Sequence, residues 1–396
     1  MTVKGPGSQG ALRQANLRRV IEEVRAAGKL TQAQISRHTG LSAASVTNLV
    51  RTLNQAGLVE VETGSEAGRQ CRHVSLTHSP GYVLGIDLGR SHLLMCIADL
   101  NWQVVVEAAR SITPETPAPV GLALCQQLQA ELLDKANLDS KQLLAAGVGL
   151  PGPLDAATKE IGVGTLLPHW VDRNLEEAFQ GALDLPVVVD NDANIGALGE
   201  FAWQCAERPK GTLIYLRLAT GIGGGLMLGG QLHRGAAGTA GEVGHMTIDE
   251  GGQLCRCGSR GCLETVASTP VMLNVLSGAL AGPVDLDTWI KLARQGHTAS
   301  IRLLEAVGQH VGTAVANLCN FISPDKVVLG GPITAAGELL LTPVRQEVDR
   351  RAMPATSRLV DIAITRHASR TEMLGAVVLA REVALNNDPL ASLLVG

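Results

Sequence analysis

Aromatic side chains are scarce: four Trp, two Tyr and three Phe account for 2% of the 396 residues. A stacking platform for single-stranded nucleic acid needs several exposed rings, so that class of binder is excluded. Long apolar runs are missing too. No stretch reaches about 18 apolar residues without a charge or a run of glycines, and the opening MTVKGPGSQG has no apolar signal core. The expectation is a cytoplasmic protein with no membrane segment. Cysteine occurs eight times, but in that compartment the thiols should be reduced or metal-bound, which excludes a disulfide frame. Only Cys255, Cys257 and Cys262 cluster.

Apolar residues and glycine are what the chain has in quantity. With 45% hydrophobic against 18% charged residues over this length, it can bury the cores of two or three domains, so disorder is not its main state. Its 45 glycines imply many tight turns or loops that approach a ligand closely. The net charge of −4 hides an asymmetry. Residues 1–80 carry ten Lys or Arg against five Glu, a balance of +5, and residues 81–396 carry 23 basic against 32 acidic residues, a balance of −9. A basic small head points to a polyanionic partner.

Within that head the pattern is helix, turn, helix. Leu17, Val20, Ile21 and Val24 fall at i, i+3, i+4 and i+7, one stripe on a helix of roughly three turns that ends near Gly28. Thr31 is placed to cap the next helix, with Gln34 at the reciprocal capping-box position and Leu30 and Ile35 as a hydrophobic staple. Ser42 can cap a third helix, whose Val46, Leu49, Val50 and Leu53 face inward and leave Ser45, Thr47, Asn48 and Arg51 outward. Leu58 to Glu62, a turn through Gly64 to Gly68, and Arg72 to Leu76 read as a two-stranded wing. In such a unit the third helix enters the major groove of double-stranded DNA. Ser42, Ser45, Thr47 and Asn48 are the candidates facing bases and Arg51, Arg69 and Arg72 those facing phosphates, with Thr31 also counted in the DNA-binding set. The alternative is a three-helix protein-interaction module whose charges are merely solvated.

From Tyr82 onward, short apolar strands alternate with helical stretches, as in YVLGIDLGRS, LAAGVGLPGP, LPVVVDNDAN, TLIYLRLATGIGGGLML and DKVVLGGPI. Such alternation implies a mixed α/β fold with ligands at the carboxyl ends of strands. Glycine turns there let backbone N–H groups approach a phosphate, although any one of them can be only a tight connection. Further on, His245, Cys255, Cys257 and Cys262 give H-x9-C-x-C-x4-C, three thiolates and an imidazole within 18 residues. That donor set fits a closed tetrahedral structural zinc site with no position for a catalytic water. Free thiols in a loop are the alternative, but so close together they would invite oxidation.

The segments LATGIGGGLMLGGQLHRGAAGTAGEVGH at 218–245, CRCGSRGCLE at 255–264, DNDAN at 190–194 and GLPGP at 149–153 resemble the ROK family (repressors, open reading frames, kinases). The resemblance covers roughly residues 81–380 and implies a two-lobed, actin-like α/β sugar-kinase fold. The head resembles the winged helix of that family's regulators, which its plain kinases lack. The division it implies is a winged helix-turn-helix at 1–80, a smaller lobe at 81–192 completed by a C-terminal helix at 372–396, and a larger lobe with the zinc loop at 193–371. It also implies that Pro151, Gly152, Asn191, Asp192, Glu242, His245 and Glu264 bind a monosaccharide or small oligosaccharide, His245 touching both ion and sugar. Asp87, Gly89, Thr220, Gly221, Gly223, Gly330 and Gly331 stand at the phosphate-binding positions, as vestiges of a nucleotide site. In the family's kinases the residue matching Asp192 takes the proton of the hydroxyl being phosphorylated, so Asp192 is the catalytic residue if this chain is a kinase.

Two departures weigh against that activity. Where the kinases have Asp-x-Gly-Gly-Thr, this chain has Asp87, Leu88, Gly89, Arg90 and Ser91, and Arg90 adds a long side chain where a triphosphate turn needs none. Near Trp170, where the kinases place an Asn on the sugar, the run is Thr165, Leu166, Leu167, Pro168 and His169. The reading is a sugar-responsive DNA-binding repressor of carbohydrate genes. Its alternative is an ATP-dependent sugar kinase carrying an accessory DNA-binding head. A homodimer or homotetramer would set paired heads on an inverted-repeat operator.

Overall fold

The computed structural model describes residues 9–55, 58–66, 69–76, 81–162, 167–204 and 210–387. In the head, α1 (Gln9–Ala27) stops at Gly28, whose φ of 74° suits glycine. It starts well before its apolar stripe, with Leu12 exposed on an outer turn. A short strand that sequence periodicity did not reveal, β1 (Lys29–Thr31), precedes α2 (Gln32–Thr39). Thr31 and Gln34 make the expected reciprocal capping box, and Gly40 closes α2 in the left-handed region. In α3 (Ala43–Gln55), Val46, Leu49, Val50 and Leu53 are buried, and the Ser45 amide donates to the Ser42 hydroxyl at 3.2 Å. The wing strands β2 (Val59–Glu66) and β3 (Arg69–Leu76) are longer than expected. They pair as far as Glu66 opposite Arg69, so Gly64 lies within a strand and only 67–68 separate the two. The expected turn at Gly68 lies outside the described residues.

Two five-stranded sheets follow, with the same internal order. The first, β6-β5-β4-β7-β8, comprises β4 (Tyr82–Leu88), β5 (His92–Asp99), β6 (Val104–Ser111), β7 (Leu143–Leu150) and β8 (Val187–Asn191). The second, β11-β10-β9-β12-β13, comprises β9 (Leu213–Leu218), β10 (Ile222–Leu228), β11 (Gln231–Leu232), β12 (Lys326–Gly330) and β13 (Asp361–Ile364). In each, an antiparallel hairpin of three strands continues into two parallel ones. This shared order places the carboxyl ends of the parallel strands beside the first hairpin turn, where ligand loops collect.

Helices cover the sheets. On the first, α4 (Ala118–Ala136) and α5 (Leu175–Leu183) bury Leu84, Ile86 and Leu88, and α13 (Thr371–Asn387) covers Val83 on the opposite face. Burial on both faces is why β4 reads as one continuous apolar run. The larger cluster lies on the second sheet under α7 (Leu263–Ala267), α8 (Thr269–Ala279), α9 (Leu286–Arg294), α10 (Thr298–Ile322) and α11 (Glu338–Arg351), and the short α12 (Pro354–Ser357) follows without burying a residue. The remaining helix, α6 (Asp192–Gln204), begins at the end of β8 and crosses α13. The crossing is very close: a β-carbon on Gly375 would fall inside the contact radius of the Ile195 carbonyl oxygen. Residues 388–396 of the expected terminal helix lie outside the described set. No helix among the described residues is long and apolar enough to cross a membrane.

Gly375→Val should therefore force α6 and α13 apart, at a cost of about 3 kcal/mol or more. Thermal unfolding measures it, and an unchanged midpoint would show that the crossing tolerates a side chain.

Candidate ligand cavities, metal cluster and DNA-facing surface

Two cavities adjoin where the strand ends meet, and both are lined by Pro151 and Arg217. The first, about 310 Å³, is lined by all seven residues of the sugar set: Pro151, Gly152, Asn191, Asp192, Glu242, His245 and Glu264. Asn191 ends β8 and ties that strand to the floor, its amide nitrogen donating to the Gly152 carbonyl at 2.9 Å. Its amide oxygen accepts from the Ala193 backbone at 2.9 Å and so starts α6. Glu264 accepts from the Ile222 amide at 3.1 Å and is held by the Arg256 guanidinium at 3.0 Å. Asp190 supports the same strand end from behind, paired with Arg234 at 2.6 Å.

The floor holds a buried charge network that motif matching missed. Arg217, at the end of β9, lies 3.4 Å from Asp192 and 3.0 Å from Glu372 in the first turn of α13. Tyr215 donates its hydroxyl to Glu372 at 2.8 Å, and Asp87 is paired with His92 at 2.9 Å. Burial opposes the charge on Arg217, but Asp192, Glu372 and Asp87 together raise its pKa further. Burial pushes the Asp192 carboxyl up, with Arg217 pulling the other way, and pushes Glu372 up to about 7 against the same pull. His92 loses charge to burial, yet its bond to Asp87 leaves its pKa raised. One signal for this network was readable: Arg217 is the lone charge in the apolar strand LIYLRL.

Asp87, Gly89, Thr220 and Gly331 of the phosphate set line the second cavity, about 400 Å³, together with Arg90, His92 and Glu372. Gly221 and Gly223 do not; the turn after β9 brings them to the first cavity. Gly330 is also corrected, since a β-carbon there would collide with the Tyr215 ring, which makes it a packing glycine. The expected run near Trp170 is described only from Leu167, which is buried, and Thr165 and Leu166 lie outside the described residues.

His245, Cys255, Cys257 and Cys262 place one donor atom each within 4.8 Å of one another. The Cys257 and Cys262 sulfurs are 3.7 Å apart, and Cys255 Sγ is 3.5 Å from His245 Nδ1. Tetrahedral zinc with bonds of about 2.3 Å to sulfur needs sulfurs about 3.8 Å apart, so this donor set fits a metal ion. The other imidazole nitrogen, Nε2, lies 3.7 Å from Glu242 in the first cavity. One ring thus faces both the metal donors and the cavity.

On the head, Ser42, Asn48 and Arg51 are exposed along α3, and Ser45 and Thr47 are partly so. The Arg51 guanidinium donates to Asn48 Oδ1 at 3.1 Å on the exposed side of α3. Arg72 is exposed on the wing, while the side chain of Arg69 lies outside the described set. Thr31 is corrected. It is only 4% exposed and its hydroxyl is spent in the capping box, so it holds α2 in place and does not reach outward.

The ROK family profile matches residues 83–383 and the MarR family profile residues 18–70. The xylose repressor of Caldicellulosiruptor bescii is 30% identical over 391 residues, covering 94% of this chain and 97% of its own. The crystal structure of a ROK family transcriptional regulator, a homolog of the E. coli MLC protein, superposes with a TM-score of 0.78 at 25% identity, covering 97% of this chain and 98% of that one. A ROK family glucokinase from Streptomyces griseus, in complex with glucose and AMPPNP, superposes with a TM-score of 0.66 at 26% identity. It covers 76% of this chain and 100% of its own. The expected architecture, a winged head followed by a sugar-kinase-like α/β body, is borne out.

Removing the shared cation tests the network. Arg217→Met leaves Asp192 and Glu372 buried without compensation and should cost about 3 to 5 kcal/mol, part of it recovered by adding Glu372→Gln. In that variant burial, reinforced by the Asp87 charge, acts on Asp192 without Arg217 to oppose it and raises its carboxyl pKa further. The stability deficit against the parent is then largest above that raised value and closes as pH falls towards the ordinary carboxylate range. Urea unfolding at about pH 8 and about pH 5 reads both effects; equal deficits at the two would contradict the assignment.

Proposed function

This chain belongs to the ROK family, and on that premise we propose that it is a sugar-responsive transcriptional repressor of carbohydrate genes. The observation that carries the reading is the pairing of a winged DNA-binding head with a kinase-type cleft whose would-be base is held by Arg217. A general base must be free to accept a proton in the transition state. Asp192 faces a permanent cation at 3.4 Å, which opposes the upward push of burial on its carboxyl and suits a carboxylate that accepts hydrogen bonds from a sugar hydroxyl.

In this reading Asn191, Asp192, Glu242, His245 and Glu264 read the hydroxyls of a monosaccharide or small oligosaccharide, over a floor shaped by Pro151 and Gly152. His245, Cys255, Cys257 and Cys262 hold structural zinc, which orders the loop that carries His245 and Glu264 to the sugar. Ser42, Ser45, Thr47 and Asn48 face the bases of an operator, and Arg51, Arg69 and Arg72 its phosphates. The lobes dividing at residue 192 close on the sugar. Two or four copies, in the cytoplasm, present paired heads to an inverted repeat. For the sugar to act, it must bind the DNA-competent and released arrangements with different affinity.

A second reading, an ATP-dependent sugar kinase with an accessory head, draws on the second cavity, where Thr220 and Gly331 are retained. A coupled assay for sugar-dependent ATP turnover, with Asp192→Ala as control, separates the two. Turnover at ordinary enzyme rates would favour the kinase.

A thermal-shift screen against monosaccharides and small oligosaccharides tests the pocket and the metal together. A binding sugar should raise the midpoint, and a chelator should lower it and weaken the sugar's effect. An unmoved midpoint in every condition would count against both assignments. On the DNA side, Arg51→Ala should weaken binding to operator fragments and reduce the salt slope by about 1, with sugar affinity unchanged. Equal losses in DNA and sugar binding would reverse those roles.

A further inference from the structure

Head and body meet at a joint of unusual chemistry. Trp102 lies in the turn between β5 and β6 with a φ of 68°. Over its ring sit two guanidiniums, that of Arg25 from α1 of the head at 5.8 Å and that of Arg381 from α13 of the body at 5.4 Å. Trp203, near the end of α6, packs against Trp102 at 5.4 Å between ring centroids. Leu385, further along α13, packs on the hydrophobic core of the head. Arg381 also donates to the Leu100 carbonyl at 2.8 Å, which fixes α13 to the start of the turn after β5.

This joint attracts through the ring and the leucine but carries features that favour opening. Two like charges share one aromatic ring. Burial lowers the pKa of Arg25, and burial reinforced by Arg25 pushes Arg381 down to about 9. Glu22 and Glu382 offset part of that repulsion. Arg25 Nε and Trp102 Nε1 are both buried without a hydrogen-bond partner. Water would satisfy both N–H groups and screen the like charges once the head moved away. A contact selected only for permanence would have paired them.

Both body helices at the joint begin at the adjoining cavities, α6 at the first and α13 at the second. Asp192 opens α6, which carries Trp203, and Glu372 lies in the first turn of α13, which carries Arg381 and Leu385. Arg217 bridges the two openings, and the helices touch backbone to backbone at Gly199 and Gly375. We propose that the Arg25, Trp102 and Arg381 stack is the releasable docking joint of the DNA-binding head, and that α6 and α13 carry the state of the sugar cavity to it. The second clause rests on the sugar-responsive reading above. An occupant that takes hydrogen-bonding capacity from Asp192 changes what Arg217 holds, and with it the seat of both helices. Because they are locked together, they move as one body and shift Trp203, Arg381 and Leu385 against the head.

Two measurements on the full-length chain decide this. In limited thermolysin digestion, Trp102→Ala should release the head at least tenfold faster than the parent, with the melting of the body unchanged. Arg25→Met, which keeps the packing but removes the like charge and the unpartnered N–H, should release it severalfold more slowly. The same rate for both variants and the parent overturns the joint. In fluorescence anisotropy with an operator fragment, the affinity shift caused by a saccharide from the thermal screen should collapse to under threefold in Trp102→Ala, while its calorimetric affinity stays within twofold. A shift of full size in that variant overturns the coupling. If no saccharide moves the parent's operator affinity, the sugar-responsive reading and the coupling fall together, and the digestion still decides the joint.

Discussion

The structure of the body depends on one buried cation. Arg217 is the only positive charge within 4 Å of both Asp192 and Glu372 among the described ion pairs, and it joins the first turn of α6, the end of β9 and the first turn of α13. Three elements distant in sequence meet at a single guanidinium, whose planar fork can bond two carboxylates at once. Removing water from such charges is costly, and the attraction offsets that cost only while all the partners are in place. The floor of the first cavity is therefore cooperative: it is held as a unit or not at all. An apolar floor would pack as well, but it would not respond to a polar ligand.

The metal donors impose the second constraint on the same cavity. His245 faces the three cysteines through Nδ1 and Glu242 through Nε2, so an ion bound there would fix the ring's tautomer and its direction. Neighbouring Arg256 lies between two of the cysteines and grips Glu264. Two cavity residues are thus placed by the loop that carries the donor set, a segment of short turns and glycines whose order metal coordination would supply. With a metal bound, cavity geometry and metal occupancy would be one property of the loop.

How much of this was legible in the sequence depends on whether the cause was local. The capping box of Thr31 and Gln34, the stripes on α1 and α3, and the cysteine spacing are set within a few residues, and each appears as read. The same holds for the seven residues of the first cavity, which lie in glycine-rich motifs that resemblance could place. What failed to show was set by partners far along the chain. β1 is a strand only because Leu30 finds Val74. Thr31 reads as an exposed hydroxyl until its cap consumes it, and Gly330 reads as a phosphate glycine until Tyr215 is seen lying against it. Arg217 shows as an oddity in an apolar strand, but Glu372 is an ordinary helix acid until the fold brings it 155 residues back.

The same distinction explains why the head and the body differ in how their charges are arranged. Inside the body, every buried charge of the cavity floor has an opposite partner, and the network resists change. At the head, Arg25 and Arg381 face the same ring with like sign, and an indole and a guanidinium N–H go without acceptors. Evenly strong contacts throughout would make one rigid block in which a bound sugar could stiffen the cavity but move nothing. A firm floor and a weak joint concentrate displacement where the free energy of opening is smallest. A modest difference in sugar affinity between two arrangements is then enough to act on the head, provided the helices between them do not bend. The glycine contact of α6 with α13 supplies that stiffness, because backbones in direct contact have no side-chain layer to deform.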